Sequence, residues 1–151
     1  MAVLSWGKPK VEIGVTVGNA APASWLVLPE IVQDTAKLTT EQGNKKEAIA
    51  EGGGILDVRI DKSKYNFECE IFVKKGDTKQ INDDDGIVLD NYAIRLTPED
   101  PETEGFIMDK TNVSCVETWS SADGKRWKYT FGGLIPATGK ILKPYLAPPV
   151  G

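Results

Sequence analysis

Apolar and polar residues alternate with a period of two along most of the chain, and helical periodicity is almost absent. Val11, Ile13, Val15 and Val17 alternate with Lys10, Glu12, Gly14 and Thr16, which predicts a strand buried on one face. Asn91–Thr97 repeats the pattern, with Tyr92, Ile94 and Leu96 on one side. Trp25–Leu28 is a short apolar run ended by Pro29, and Phe106–Met108 reads as one more short strand. The single stretch compatible with a helix is a short one near Thr78–Asn82, limited by Gly76 before it and the aspartates after it. The tail from Lys143 to Gly151 is proline-rich and predicted to be extended. The pattern as a whole predicts one all-β domain over residues 1–151, a sandwich or small barrel of about eight to ten strands with at most one short helix.

Hairpin parity sharpens three of these segments, because a correct register places apolar residues on a common face. Pairing Ile55–Asp61 with Lys64–Lys75 across Lys62-Ser63 sets Ile60 opposite Tyr65, Val58 opposite Phe67 and Leu56 opposite Cys69. The other face of that pair is wholly polar. Pairing Val113–Ser121 with Lys125–Phe131 through the three-residue loop Ala122-Asp123-Gly124 sets Trp119 opposite Trp127 and Cys115 opposite Phe131. It requires Gly124 in the left-handed region and leaves Glu117 on the apolar face. Pairing Thr35–Gln42 with Lys45–Glu51 around Gly43-Asn44 sets Leu38 opposite Ile49 and Glu41 opposite Lys46. Both faces of this last hairpin are otherwise Thr, Lys, Glu, Gln and Ala, too polar for a core. It is therefore expected to project as an arm over residues 35–51, hinged at Gly52, Gly53 and Gly54.

Composition narrows the chemistry. The 151 residues contain no histidine, which excludes Ser-His-Asp triads, Cys-His pairs and His-ligated zinc. The net charge is −4, but residues 77–109 alone carry −8 and the remainder +4. This acidic balance argues against a basic nucleic-acid groove. A chain of this length can bury roughly 70 % of its unfolded surface, so it needs no metal or disulfide staple. Cys69 and Cys115 lie in strand-like runs and read as buried reduced thiols. The start, MAVLSWGKPK, lacks the basic and apolar regions of a secretion signal, and no window is apolar enough for a membrane span. A reducing cytoplasm is the expected site of synthesis.

The candidate motifs resolve mostly into loops. Asn82-Asp83-Asp84-Asp85-Gly86 invites a calcium-loop reading, but Gly86 at the sixth position puts Ile81 first and Tyr92 twelfth, where Asp and Glu are required. Glu51-Gly52-Gly53-Gly54 fails as a dinucleotide fingerprint, since Asp57 stands where a third glycine belongs and no helix follows. No pair of carboxylates is singled out by spacing for glycoside hydrolysis. Trp119 and Trp127 are assigned to the core, while Trp6 and Trp25 are candidates for an exposed aromatic platform. No catalytic, cofactor-binding or metal-ligating residue is assigned, and no cofactor or small-molecule substrate is expected.

LSWGKPKVEI at the start, the polar Gly-Asn arm closed by EGGG, NYAIRLTPEDP, and SSADGKRWKYTFGGLIP together resemble the tail tube proteins of tailed phages and prophages. The resemblance implies a β-sandwich or small barrel with a short flanking helix. It also implies a ring of six copies whose sheets join into an inner barrel, with rings stacking into a hollow tube. The inner tubes of contractile injection and type VI secretion systems share that architecture. On this reading the partners are other copies of the chain, other tail proteins, and DNA that slides through the lumen without specific binding. The location is the virion tail, assembled in the bacterial cytoplasm, with no membrane anchoring. The arm residues Thr39, Glu41, Gln42, Gly43, Asn44, Lys45, Lys46 and Glu47 are the candidate contacts between subunits or rings. The competing expectation is a monomeric β-sandwich that recognises a glycan or peptide through Trp6, Trp25 and the acidic loop.

Overall fold

Alternation becomes strand, and among the described residues no segment is helical. The computed structural model describes residues 4–18, 20 and 22–148. Ten strands occur in order: β1 (Lys10–Val15), β2 (Leu26–Val27), β3 (Lys37–Glu41), β4 (Lys45–Ile49), β5 (Ile55–Ile60), β6 (Lys64–Phe72), β7 (Tyr92–Thr97), β8 (Gly105–Ser120), β9 (Gly124–Gly133) and β10 (Lys143–Tyr145). Eight of them form one antiparallel sheet, ordered β2-β1-β7-β8-β9-β6-β3, with β10 alongside the start of β8. β4 and β5 pair with each other in a separate two-stranded sheet. The sheet does not close into a barrel. Of the proline-rich tail, Lys143–Tyr145 is strand, while residues 149–151 lie outside the described residues.

The sheet folds over its own core because β8 bends. β8 runs for 16 residues, uniting the two segments that the sequence presents as separate strands at Phe106–Met108 and from Val113 on. Its register against β7 slips between Ile94↔Met108 and Tyr92↔Thr111, so two residues of β8 oppose Ala93. Such a bulge kinks a strand and increases its twist. It also switches the inward set from Phe106 and Met108 to Thr111, Val113 and Cys115. Carbonyls near the bulge find hydroxyl donors: Thr111 Oγ1 donates to Tyr92 O (2.6 Å) and Thr16 Oγ1 to Asp109 O (2.7 Å). The first half of β8, with β7 and β1, thereby faces β6 across the interior. Phe106 meets Phe67 at 5.4 Å between ring centroids, and Phe67 meets Phe131 at 6.3 Å. Val11, Ile13, Cys69, Ile71, Ile94 and Tyr129 complete the core.

A strap of irregular chain ties the two ends of the folded sheet together. Leu28 N–H donates to Val11 O on β1 (2.9 Å), and three residues on Ile31 bridges Ile71 on β6. Val32 N–H donates to Glu70 O, and Phe72 N–H donates to Glu30 O. Leu28 and Val32 are buried beneath this crossing.

The segment between β6 and β7 replaces the expected helix near Thr78–Asn82 with an ordered cap. Asp83 accepts hydrogen bonds from Lys79 Nζ (2.7 Å) and Gly86 N–H (2.7 Å), local partners that compete with helix formation. Asp84 and Ile87 then close a tight bridge, with Asp85 and Gly86 at φ of 50° and 89°. The cap drives Ile81 fully into the core beside its neighbours in the apolar cluster. The hydrogen bond from Lys79, and then that from Gly86, hold the Asp83 carboxyl below the usual aspartate range. A depressed folded-state value contributes stability above the unfolded value, near 4, that is lost as pH falls through the folded value. Asp83→Asn is therefore expected to cost about 1–2 kcal/mol at neutral pH. In urea unfolding, its difference from the wild type should shrink steadily as pH is lowered from roughly 6 to 3.

The β8–β9 hairpin is paired as expected, in a register two residues away. Ser120 faces Gly124, Glu117 faces Trp127, Cys115 faces Tyr129 and Val113 faces Phe131. The turn is Ser121-Ala122-Asp123, because Ser120 Oγ accepts from Asp123 N–H (3.0 Å), and Gly124 sits at φ 75°. A shift of two preserves the faces, so Cys115, Trp127 and Phe131 remain inward. It carries Trp119 past the end of the core, where it is 72 % exposed, contrary to its expected core role. Glu117 on the apolar face is now explained: it accepts the indole N–H of Trp127 (2.9 Å) and pairs with Lys125 Nζ (2.9 Å). The two contacts, Trp127 first, lower the Glu117 carboxyl below its ordinary value.

Both cysteines are free and buried, one on each side of Tyr129, on β6 and β8. Burial pushes the Cys69 thiol up to about 12. These are small apolar core residues rather than reactive groups.

Candidate assembly surface

β3 pairs with β6 and β4 pairs with β5, so the two expected hairpins at 35–51 and 55–75 do not exist as such. Lys37↔Glu68 and Glu41↔Lys64 in one pair, and Lys45↔Ile60 and Ala48↔Asp57 in the other, lie on the same count. The chain from Lys37 to Glu68 is thus one long two-stranded ribbon interrupted at 42–44 and 61–63. The Gly43-Asn44 and Lys62-Ser63 dipeptides, each expected to be a turn, form the two sides of that interruption. The real turn is Ala50–Gly54, where Gly52 and Gly53 take φ of 95° and 94°, Ala50 N–H donates to Gly54 O (2.7 Å) and Gly53 N–H donates to Ala50 O (3.0 Å). Gly52, Gly53 and Gly54 are therefore the tip of an arm rather than its hinge.

At the base of the arm the two chains approach closely. Asp61 N–H donates to Asn44 O (2.9 Å), and a Cβ on Gly43 would lie 2.0 Å from the Asp61 carbonyl oxygen. That contact is with backbone and cannot swing away, so this crossing needs glycine. Gly43→Ala is expected to splay the base. Amide exchange at Asp61 should accelerate roughly tenfold or more, while the amides of β6 that pair with β9 keep their protection.

The arm inverts the polarity of the ribbon. In the sheet half, the Leu38–Phe67 and Thr40–Tyr65 pairs face the core, and Lys37–Glu68, Thr39–Asn66 and Glu41–Lys64 face away. Cross-strand partners share a face and alternate along the strands. Carried past the interruption, the core-facing set becomes Lys46–Arg59 and Ala48–Asp57, and the outward set becomes Lys45–Ile60, Glu47–Val58 and Ile49–Ile55. The apolar side of the ribbon changes faces where the arm leaves the sheet. Leu56 adds to it at a register shift and is 79 % exposed; Ile49 is 64 % exposed. An isolated two-stranded hairpin is marginal in water, and this one leaves Ile49, Ile55, Leu56, Val58 and Ile60 uncovered.

The expected contact residues divide between the two halves. Thr39 and Glu41 belong to β3 inside the large sheet, Gln42, Gly43 and Asn44 to the interruption, and Lys45, Lys46 and Glu47 to the first strand of the arm. The missed residues are those of β5, which parity had assigned to the core.

A second apolar feature lies at the far end of β6. A groove of about 1270 Å³ runs between the segment Ser5–Lys10, the strap from Val27 to Ala36, Phe72 at the end of β6, and Leu96–Glu99 after β7. Trp6 stands on its rim, 70 % exposed, and Lys8 holds only a loose 3.8 Å pair with Glu30. Trp25 is not part of a platform. Arg95 lies 4.3 Å from its ring centroid and 5.2 Å from that of Tyr145, while bound to both carboxylate oxygens of Glu12. Among the described residues no cluster of three potential metal ligands occurs, and no helix is long and apolar enough to cross a membrane. Comparison with protein-family models and with curated proteins finds no match.

Proposed function

We propose that this chain is a non-enzymatic structural subunit that assembles with copies of itself into rings, hexameric by the resemblance noted above, which stack into a phage tail tube for DNA passage. The observation that carries the reading is the arm: a two-stranded ribbon that leaves the sheet with its aliphatic face turned away from its own core. A monomer gains nothing from such a face, whereas a neighbouring subunit would bury it. The open sheet supports the same reading. β2 and β3 each have a neighbour on one side only, and ring closure would satisfy such edges. An acidic excess over residues 77–109 would keep phosphate from adhering to a lumen that those loops lined.

The test is the size of the full chain at high concentration, alone and with tail components, by mass photometry and electron microscopy. Rings or tubes are the expected result. A chain that remains monomeric under every one of these conditions would sink the proposal.

A further inference from the structure

The arm and the groove lie at opposite ends of one strand. β6 begins at Lys64, against the base of the arm, and ends at Phe72, which lines the groove. Nine residues of strand at about 3.3 Å each separate them by roughly 27 Å, and the arm continues away from the groove. An arm cannot fold back into the groove of its own chain. We propose that the groove is the acceptor for the arm of a second copy, so that subunits join head to tail. The proposal rests on the self-assembly reading above and adds to it the surface that receives the arm.

Apolar surface on both sides of the contact favours this occupant. The arm offers Ile49, Ile55 and Leu56 near its tip, and the groove offers Val27, Pro29, Ile31, Phe72 and Leu96 beneath Trp6. Because donor and acceptor are different surfaces, the contact is heterologous. It propagates as a ring or a filament rather than stopping at a symmetric dimer.

Two full-length variants test it in sedimentation velocity, each first checked for a wild-type melting curve. Ile55→Asp/Leu56→Asp disables the arm, and Trp6→Glu/Val27→Glu disables the groove. Each alone should weaken self-association at least tenfold. Their equimolar mixture should form a discrete heterodimer, since one intact groove and one intact arm remain. Wild-type assembly by the groove variant would overturn the acceptor assignment while leaving self-assembly standing, as would a mixture that stays monomeric. A wild-type chain that never associates would overturn both. Should that groove variant misfold, a single truncation at an exposed position supplies the second test. Trp6→Ala, at the exposed rim position, should weaken association severalfold while the melting curve stays that of the wild type; unchanged association counts against the proposal.

Discussion

Replacing Lys45–Ile60 with a short Asn-Gly turn between Asn44 and Asp61 should abolish self-association and leave the thermal midpoint of the isolated chain within a few degrees of the wild type. The expectation follows from where the arm's contacts lie. β4 and β5 pair only with each other, and none of their side chains belongs to the buried cluster that holds the large sheet. Removing them deletes exposed aliphatic surface and a marginal hairpin, both of little value to a monomer. A hairpin turn of the Asn-Gly type suits the twist of the strands it would join. The readouts separate cleanly: differential scanning calorimetry follows the fold, and analytical ultracentrifugation follows assembly. A large drop in the midpoint would mean that the arm braces its own sheet, and the assignment of its apolar face to a partner would fail.

Phe67→Ala should have the largest effect on the fold itself. Phe67 is buried between the two halves of the folded sheet, with its ring 5.4 Å from Phe106 and 6.3 Å from Phe131. It lies on β6, the strand that pairs with β3 and β9 on its two edges. Truncation would open a cavity whose walls belong to three different strands and cannot all move inward together. Losses of about 3–5 kcal/mol are typical of such sites. For a domain of this size that corresponds to a fall of roughly 10 °C or more in the midpoint. Chemical denaturation with an unchanged m-value would confirm that the loss is one of packing. A loss below about 1 kcal/mol would show that the halves of the sheet are not held by this aromatic cluster.

Period-two alternation was enough to read the all-β class, the strands around Val11, Ile94 and Phe131, and the inward set of β9. Two things escaped it for physical reasons. The first is β8, where a bulge at Asp109–Lys110 switches the inward parity and makes one long strand look like two. The second is the ribbon from Lys37 to Glu68. The apolar positions Leu56, Val58 and Ile60 are even and Tyr65, Phe67 and Cys69 are odd. A hairpin turn at Lys62-Ser63 accounts for that phase change as well as a ribbon whose buried side changes does. Parity alone cannot choose between them, because it assumes a single core. The turn chemistry held the better clue: within the glycine run at 52–54, Gly52 and Gly53 take the positive φ that this hairpin tip requires, and Gly43 does not. The arm was thus expected from polarity in about the right place, but with its aliphatic strand assigned to the wrong surface. The groove left no trace in the sequence pattern, since its walls come from four separated segments.

The sequence separation of its strand pairs also orders the chain's folding in time. The ribbon from Lys37 to Glu68 closes over short loops, so it can form as soon as it is synthesised. The pairing of β1 with β7 joins Lys10 to Thr97, and the walls of the groove are complete only once Leu96–Glu99 have docked. The residues of the arm are therefore free to pair on a nascent chain before the walls of its groove are complete. If subunits join head to tail as proposed, maturation of the slowest, most non-local part of the fold would set the moment at which a new subunit becomes able to extend a growing assembly.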